Sequence, residues 1–416
     1  MVSLAQLLEP ELPLGQQFTL SNIHTVPKLS KPLVQKPERP ETVKIIHLIT
    51  LFHNEVSVLA AEIYVYLTLD KTLKRTIYVS KVDTTGLSNI RVGRVIQKIL
   101  HWIFGYPIKR YLKELRVKKH YETILKEHAP FKSPLQRSLH ILIERAKGDK
   151  NYGIPRMIDS ETYKVPDAFL VMNNNQIVTE LVLFTRAEHE YLFPNSHKNS
   201  GKHMLDDGQL LKWWLKTINS AIKESFETSE QYVNVLNSEP REIARFFPGQ
   251  DWKIGSIYSK QEHLDNLAVY NVPLLPDDPK GRFLEHLVVE NRIKSVNLKQ
   301  FWTELAIRQE FRLGRIVGLI SVEGISKSPE IEDGDIVKRR DFETTRKILT
   351  ETDYNDAEEV KTVLERLQDL ELHFEKLTGK YYASTNSATN TDSLKRPVAD
   401  LNMLVKRKKS TTKSVS

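Results

Sequence analysis

Two apolar runs, KIIHLITLF (44–52) and VLAAEIYVYLTL (58–69), are parted only by the short turn His53–Val56. β-branched and aromatic residues dominate both runs, and so short a connection lets the two strands lie only antiparallel, as a hairpin. RTIYVS (75–80) adds a third strand. The period then changes. In IRVGRVIQKILHWIF (90–104) the apolar residues Val95, Ile96, Ile99, Leu100 and Ile103 fall at helical spacing.

Strands followed by strands mixed with helices argue for an α/β chain: one large domain with a central mixed β-sheet surrounded by helices. Residues 1–43 read as proline-rich and irregular, with PKLSKPLVQKPERPE as an extended surface segment. PLQRSLHILIERAKG (134–148) reads as a helix, 147–166 as a mobile loop, and DAFLVM and IVTELVLF as strands. DDGQLLKWWLKTINSAIKESF (206–226) reads as a helix opened by an Asp206–Gln209 capping box, with Leu211, Trp214, Leu215, Ile218 and Ile222 as its buried stripe. Further helices are expected at 281–293 and 298–310. Val360, Val363, Leu367, Leu370, Phe374 and Leu377 suggest a heptad seam closed by Gly379, more simply a helix packed on its own domain. ASTNSATNTDS, from residue 383, reads as a linker.

The 416 residues are 40% apolar and 27% charged, which suits a globular chain. The net charge is +8, but seven basic residues against Asp400 give +6 from Lys395 onward, leaving +2 on the rest (8 − 6). The body is therefore not a surface that coats DNA phosphates, and direct sequence-specific DNA binding is not expected. Without cysteine there is no disulfide, no cysteine-based zinc site and no cysteinyl intermediate. The N-terminus lacks a secretory pattern, and the run VSVLAAEIYVYLTL is too short to span a bilayer, so a soluble intracellular protein is expected.

Four segments carry chemistry. In IYVSKVDTTGLSNIRVGRVIQKIL (77–100) a strand end, Lys81-Val82-Asp83, leads through a glycine loop to a helix start flanked by Arg91 and Arg94. Free helix N–H groups and arginines suit a diphosphate, though surface arginines at an ordinary helix start are the simpler reading of this stretch by itself. Between a strand and a helix, 183–214 gathers Arg186, His189, Tyr191, Lys198, Lys202 and His203. Trp213 sits about 100° around the helix from Trp214, so one of them either walls a pocket or edges the core. The histidines there lack metal-ligand spacing, and no metal is expected. In LLPDDPKGRF (274–283) two carboxylates, Asp277 and Asp278, lie between prolines. They read as a helix cap or as a general base. The tail LVKRKKSTTK (404–413) reads as a nuclear-import patch.

LFH (51–53), VSKVDT-G (79–86), LFTR (183–186), YLFPNSHKNSGKH (191–203), LLKWW (210–214), LAVYNVPLLPDDPKGRF (267–283) and FW-EL--RQEF (301–311) together resemble the fungal histone H3 acetyltransferases of the regulator of Ty transposition family. The resemblance runs from about residue 44 to 311. It implies a fold similar to the CBP-type acetyltransferases, with acetyl-CoA across the sheet as co-substrate and a catalytic domain over 1–382. Residues 120–166 would contain a mobile loop, and 383–416 would form a flexible basic tail.

By the same resemblance, Val82, Asp83, Thr84, Arg91, Val92, Gly93, Arg94, Phe184, Arg186, Glu188, His203, Met204, Leu205 and Trp213 would contact the cofactor. Asp83, Tyr191 and Trp214 would surround the acetyl group and substrate lysine, Asp278 would accept the proton, and Lys280 would become autoacetylated. Val82 stands where the family carries a smaller residue, Glu188 where a small one is expected, and the loop from Gly86 to Arg94 is a residue shorter. The implied activity is chaperone-dependent acetylation of newly made histone H3 in the nucleus, supporting replication-coupled nucleosome assembly and DNA-damage tolerance. Implied partners are H3 with H4, a Nap-type chaperone and an H3–H4 escort chaperone. A non-enzymatic nuclear module gripping histone or nucleic acid is the competing expectation.

Overall fold

The structure is a computed structural model. It describes residues 2–381 apart from 38–39, 71, 114, 116–119, 123–132, 149, 151, 155, 160–164, 166, 173–175, 309–310, 312–314, 328–330 and 333. The hairpin is its spine. β3 (Glu41–His53) and β4 (Val56–Leu69) pair along their length, after α1 (Leu4–Leu8), β1 (Gln17–Thr25) and β2 (Lys28–Ser30). The reversal is made by Asn54 and Glu55, both at positive φ, the pairing of signs that matches the twist of the flanking strands.

β5 (Leu73–Thr84) continues the sheet and leads into α2 (Val92–Gly105) and α3 (Ile108–Lys113). Two short strands, β6 (His120–Glu122) and β7 (Arg156–Asp159), pair apart from the main sheet, with α4 (Pro134–Ala146) between them. Then follow α5 (Asp167–Val171), β8 (Val178–Thr185), α6 (Asp207–Ser225), β9 (Phe226–Val235), α7 (Pro240–Ala244) and β10 (Trp252–Ile254). α8 (Pro279–Val289), α9 (Leu298–Ala306), β11 (Gly318–Ser326), β12 (Asp335–Val337), α10 (Arg339–Glu351), α11 (Ala357–Gln368) and β13 (Glu375–Thr378) complete the described chain.

The main sheet runs β10-β9-β11-β8-β5-β4-β3-β1-β12, with β13 also on β1 and β2 on β3. β5–β8, β9–β10 and β1–β12 are parallel and the other pairs antiparallel, so the sheet is mixed as expected. Alternation along β5 sends Ile77 and Val79 to one face and Tyr78 to the other. On the first face α2 and α6 pack together over β5, β8 and β11, with Val95, Ile99, Ile103, Leu211, Leu215 and Ile218 in the core. On the second, Tyr64, Tyr66 and Tyr78 meet Ile257 and Leu275. α10 and α11 close a separate cluster over Leu48 and Phe52.

Arg75 fixes α2 to this frame. Fully buried on β5, it donates to the last carbonyls of the helix, Phe104 O (2.6 Å) and Tyr106 O (3.0 Å), and to Thr179 and Ser326 on β8 and β11. Burial without a carboxylate partner lowers its pKa to about 10.

Four expectations are corrected. DAFLVM is helical, as α5, not a strand. The N-terminal 43 residues hold a central strand, β1, whose polar Ser21, Asn22, His24 and Thr25 are buried and masked its pattern. Within 147–166, residues 156–159 form β7; most of the remaining stretch 160–166 lies outside the described residues. The heptad seam breaks after Leu367, where the helix stops and Glu371 takes φ +54. Leu377 instead sits on β13, paired with Phe18. The tail 383–416 lies outside the described residues.

Candidate active site

β5 makes the site. A register shift opposite Glu62 and Ile63 leaves Ser80 as an extra residue, a bulge that re-aims the strand's end. Beyond it Lys81, Val82, Asp83 and Thr84 line a cavity of about 620 Å³, in the range of small-molecule sites. The loop after the strand then crosses 191–203 at van der Waals limit. Gly86, at φ +74, has no room for a Cβ, which would lie 2.2 Å from Lys202 N. A Cβ on Gly201 would lie 2.2 Å from Gly86 O. Only glycine permits that crossing.

Asp83 holds the crossing loop. Its Oδ2 accepts the backbone N–H groups of Tyr191 (2.7 Å), Leu192 (2.9 Å) and Phe193 (3.1 Å). Its Oδ1 accepts Thr84 N and the Lys202 Nζ, both at 2.8 Å. Lys202 is 7% exposed and also donates to Ser196 Oγ at 2.7 Å. Five donors fill this carboxylate's acceptor sites, about four lone-pair positions, so it is engaged as a clamp. Asn199 carries the brace onward, donating to Thr85 O and Tyr354 O.

The opposite wall comes from α6. Its capping box is formed, Gln209 N donating to Asp206 Oδ1 at 2.7 Å and Asp206 N to Gln209 Oε1 at 3.1 Å. Asp207 accepts Ala187 N at 2.7 Å, tying the loop after β8 to the helix. Trp213 and Trp214 both line the cavity, edge to face with centroids 4.9 Å apart. Trp214 is buried and Trp213 half-buried against Gly93, where a Cβ would already stand 3.4 Å from the indole nitrogen.

Phe184, Arg186, Glu188, Tyr191, His203, Met204 and Leu205 also line the cavity, with Val92 from the start of α2. Glu188 pairs with Arg186 at 2.7 Å and Arg315 at 3.3 Å. The Tyr191 hydroxyl donates to Arg186 O and accepts from Glu188 N. Burial pushes its pKa up to about 12, so it remains a neutral phenol.

Five expected residues lie outside the lining: Arg91, Gly93, Arg94, Asp278 and Lys280. Arg91 is the N-cap of α2, makes no side-chain cap, and pairs with Glu11 at 3.6 Å. Arg94 donates to Gln97 at 3.2 Å. Asp278 is the N-cap of α8, accepting Lys280 N at 2.9 Å and Lys280 Nζ at 2.5 Å, with both side chains sealed from solvent. The same turn approaches the cavity through Asp277, at φ +55, whose carboxylate lies 3.8 Å from Lys81 Nζ. Tyr78 OH donates to Pro276 O at 3.0 Å from the strand that lines the cavity.

Sequence reasoning missed Lys81 and Lys202 as lining residues, together with Ser80, Leu87 to Ile90, Thr185 and Leu210. The conspicuous signal for Lys202 was its place beside the two-glycine crossing, which shows only in three dimensions.

A model of the histone acetyltransferase KAT11-type domain matches residues 4–390. The chain belongs to the KAT11-type histone acetyltransferases. A KAT11-type enzyme uses acetyl-CoA as co-substrate, and the expectation of a non-enzymatic module is set aside. This KAT11-type chain is 31% identical over 370 residues to histone acetyltransferase RTT109 of Candida albicans, spanning 85% of this chain and 97% of that one. It is 27% identical over 375 residues to histone acetyltransferase rtt109 of Aspergillus flavus, spanning 77% of this chain and 56% of that one. A crystal structure of Rtt109 from Aspergillus fumigatus shares the KAT11 fold, with a TM-score of 0.62 at 21% identity over 92% of this chain and 100% of that one. Among the described residues no helix is long and apolar enough to cross a membrane.

Proposed function

We propose that the cavity binds acetyl-CoA and that its acceptor is a lysine of newly synthesised histone H3, presented with H4. One observation carries this reading: the strand end Lys81–Thr84, the uncapped start of α2 and the tryptophan pair of α6 converge on one open cavity. Val92, Gly93 and the flanking Arg91 and Arg94 would hold the diphosphate, where a helix start favours anions. Val82, Asp83, Thr84, Phe184, Arg186, Glu188, His203, Met204, Leu205 and Trp213 would enclose the rest of the donor.

A substrate lysine, with pKa of about 10.4 in water, must lose a proton before its nitrogen attacks the thioester. Trp214 and Tyr191 would desolvate it and favour the neutral amine. Asp278 would accept the proton through water, since it lies behind the cavity wall. Acetylation of Lys280 would remove the charge beside that carboxylate. Asp83 serves as the clamp of the 191–203 loop.

The weakly basic body supports a need for histone chaperones, one Nap-type and one escorting H3–H4, and weak activity on free histone. The KRKK cluster supports a nuclear protein, and the resemblance to the fungal histone H3 acetyltransferases supports a role in replication-coupled nucleosome assembly and DNA-damage tolerance. We assign catalysis to residues 1–382 and delivery of the basic cluster to 383–416. Acetyl-CoA binding tests the core of this reading. At a hundredfold excess over Kd, acetyl-CoA stabilises the fold by about 2.7 kcal/mol. An unchanged melting temperature together with no binding by calorimetry would refute it.

A further inference from the structure

An ammonium is buried in the cavity wall where neither the donor nor the acceptor calls for one. Lys202 lines the cavity, is 7% exposed, and donates to Asp83 Oδ1 at 2.8 Å and to Ser196 Oγ at 2.7 Å. The Gly86–Gly201 crossing brings its backbone against the loop that follows β5. That loop contact does not depend on the ion pair, because Tyr191, Leu192 and Phe193 already tie 191–203 to Asp83 through their N–H groups. Burying two ions costs desolvation that their attraction seldom returns, and packed apolar residues of similar volume hold a structure as well. A fastening role alone therefore explains the pair poorly.

The charges around the cavity show what else the pair does. The carboxylates that line it are Asp83 and Glu188. Asp83 is matched by Lys202, and Glu188 by Arg186 at 2.7 Å and Arg315 at 3.3 Å. Lys81 faces Asp277 at 3.8 Å. The remaining titratable lining residues are His203 and Tyr191, and the Tyr191 phenol stays neutral because burial raises it. Behind the wall, Asp207 is engaged by Ala187 N, Asp278 is sealed against Lys280, and burial keeps the Tyr354 phenol neutral. Among the described residues, no carboxylate lining the cavity lacks a cation.

We propose that Lys202 is a positioning residue for proton loss: by neutralising Asp83, it keeps the cavity from holding the acceptor lysine as an ammonium. The inference rests on the cavity being the acetyl-transfer site. An unmatched carboxylate near an amine favours the charged form, and a nearby cation disfavours it. Only the neutral amine attacks the thioester, so a bare Asp83 would trap the acceptor in its unreactive form. Lys202 removes that trap without touching the acceptor. Desolvation by Trp214 and Tyr191 then acts unopposed.

The test is the pH dependence of single-turnover acetyl transfer to chaperone-bound H3–H4, at saturating acetyl-CoA, with melting curves confirming that each full-length variant is folded. Lys202→Met moves the ascending limb of the rate up by about one pH unit or more. Its rate deficit is thus about tenfold or more near neutral pH and narrows as pH rises. Lys202→Arg keeps the charge and leaves the limb in place, whatever it does to the rate itself. The double variant Asp83→Asn with Lys202→Met carries neither charge and returns the limb to the wild-type position. A deficit in Lys202→Met that is equal at every pH, or a double variant whose limb stays raised, overturns the proposal and reduces Lys202 to a structural part. The wild type provides a check that needs no variant. Its rate must level off below the free-lysine pKa of about 10.4, and a rate still rising about tenfold per unit at about pH 9.5 overturns the proposal as well. Calorimetry with acetyl-CoA separates this inference from the site on which it rests. No binding by the wild type fells the site reading, whereas binding with an unmoved limb fells the Lys202 role alone.

Discussion

Asp83 and Asp278 are both buried carboxylates, yet their surroundings give them different work. Asp83 is filled by five donors, four of them backbone N–H groups, from Thr84 and from Tyr191 to Phe193, and one the Lys202 ammonium. Replacing it with asparagine leaves buried N–H groups and an ammonium short of an acceptor, which costs roughly 3–5 kcal/mol. Urea unfolding of Asp83→Asn checks this, and a loss under about 1 kcal/mol would show that the loop does not depend on the clamp. The Asp278 carboxylate accepts from the Lys280 N–H and ammonium and lies off the cavity. Under the proposed role as proton acceptor, Asp278→Asn lowers kcat by about 10²-fold or more while the Kd for acetyl-CoA stays the same. A variant weak in cofactor binding rather than turnover would contradict that assignment.

At the scale of single elements, α6 is the case where sequence and structure agree in detail. Its cap, its first turn and its buried stripe all follow from 3.6-residue spacing and one Asp–Gln pair. Because Asp206 opens the helix that carries both tryptophans, Asp206→Ala should cost about 1 kcal/mol, read as a shift in the thermal midpoint. β3 and β4 were equally legible, since apolar runs joined by two residues leave one arrangement. β1 was not. Its buried Ser21, Asn22 and His24 are polar, and their burial is decided by β3, β12 and β13, which only the fold brings alongside. The same applies to β9, whose FETSEQ start is polar, and to α5, whose five residues give no period to read. For the site, motif order gathered thirteen of the expected residues on one cavity, while Lys202 and Lys81 needed the glycine crossing and the bulge to be seen.

For the molecule as a whole, buried histidines set an acid limit. His47 is enclosed by His24, Trp102, Tyr106 and Tyr111, and its Nε2 lies 2.6 Å from Tyr111 OH. Burial first, and His24 second, hold its pKa well below the usual value. His53 and His101 are lowered by burial too. Unfolded histidine binds a proton near pH 6.5, while the folded His47 does not. Stability is therefore full above that pH and falls as pH drops through it. Between pH 7.5 and 5.5 His47 alone removes stability on the order of 1 kcal/mol. Urea midpoints at the two pH values should differ for the wild type and differ less for His47→Gln.

The pairing of β1 with β12 and β13 has a consequence for how long the protein takes to become itself. Ile23 to Thr25 lie beside Asp335 to Val337, and Gln17 to Leu20 beside Glu375 to Thr378. During synthesis at about 5–20 residues per second, the N-terminal strand leaves the ribosome roughly 20–70 s before its last partner does. Over that interval one edge of the nascent sheet stands open and must be shielded from other chains. A message cut short near residue 350 would encode every cavity residue and still yield a product with that edge unclosed, a mark by which cellular quality control can tell it from the finished enzyme.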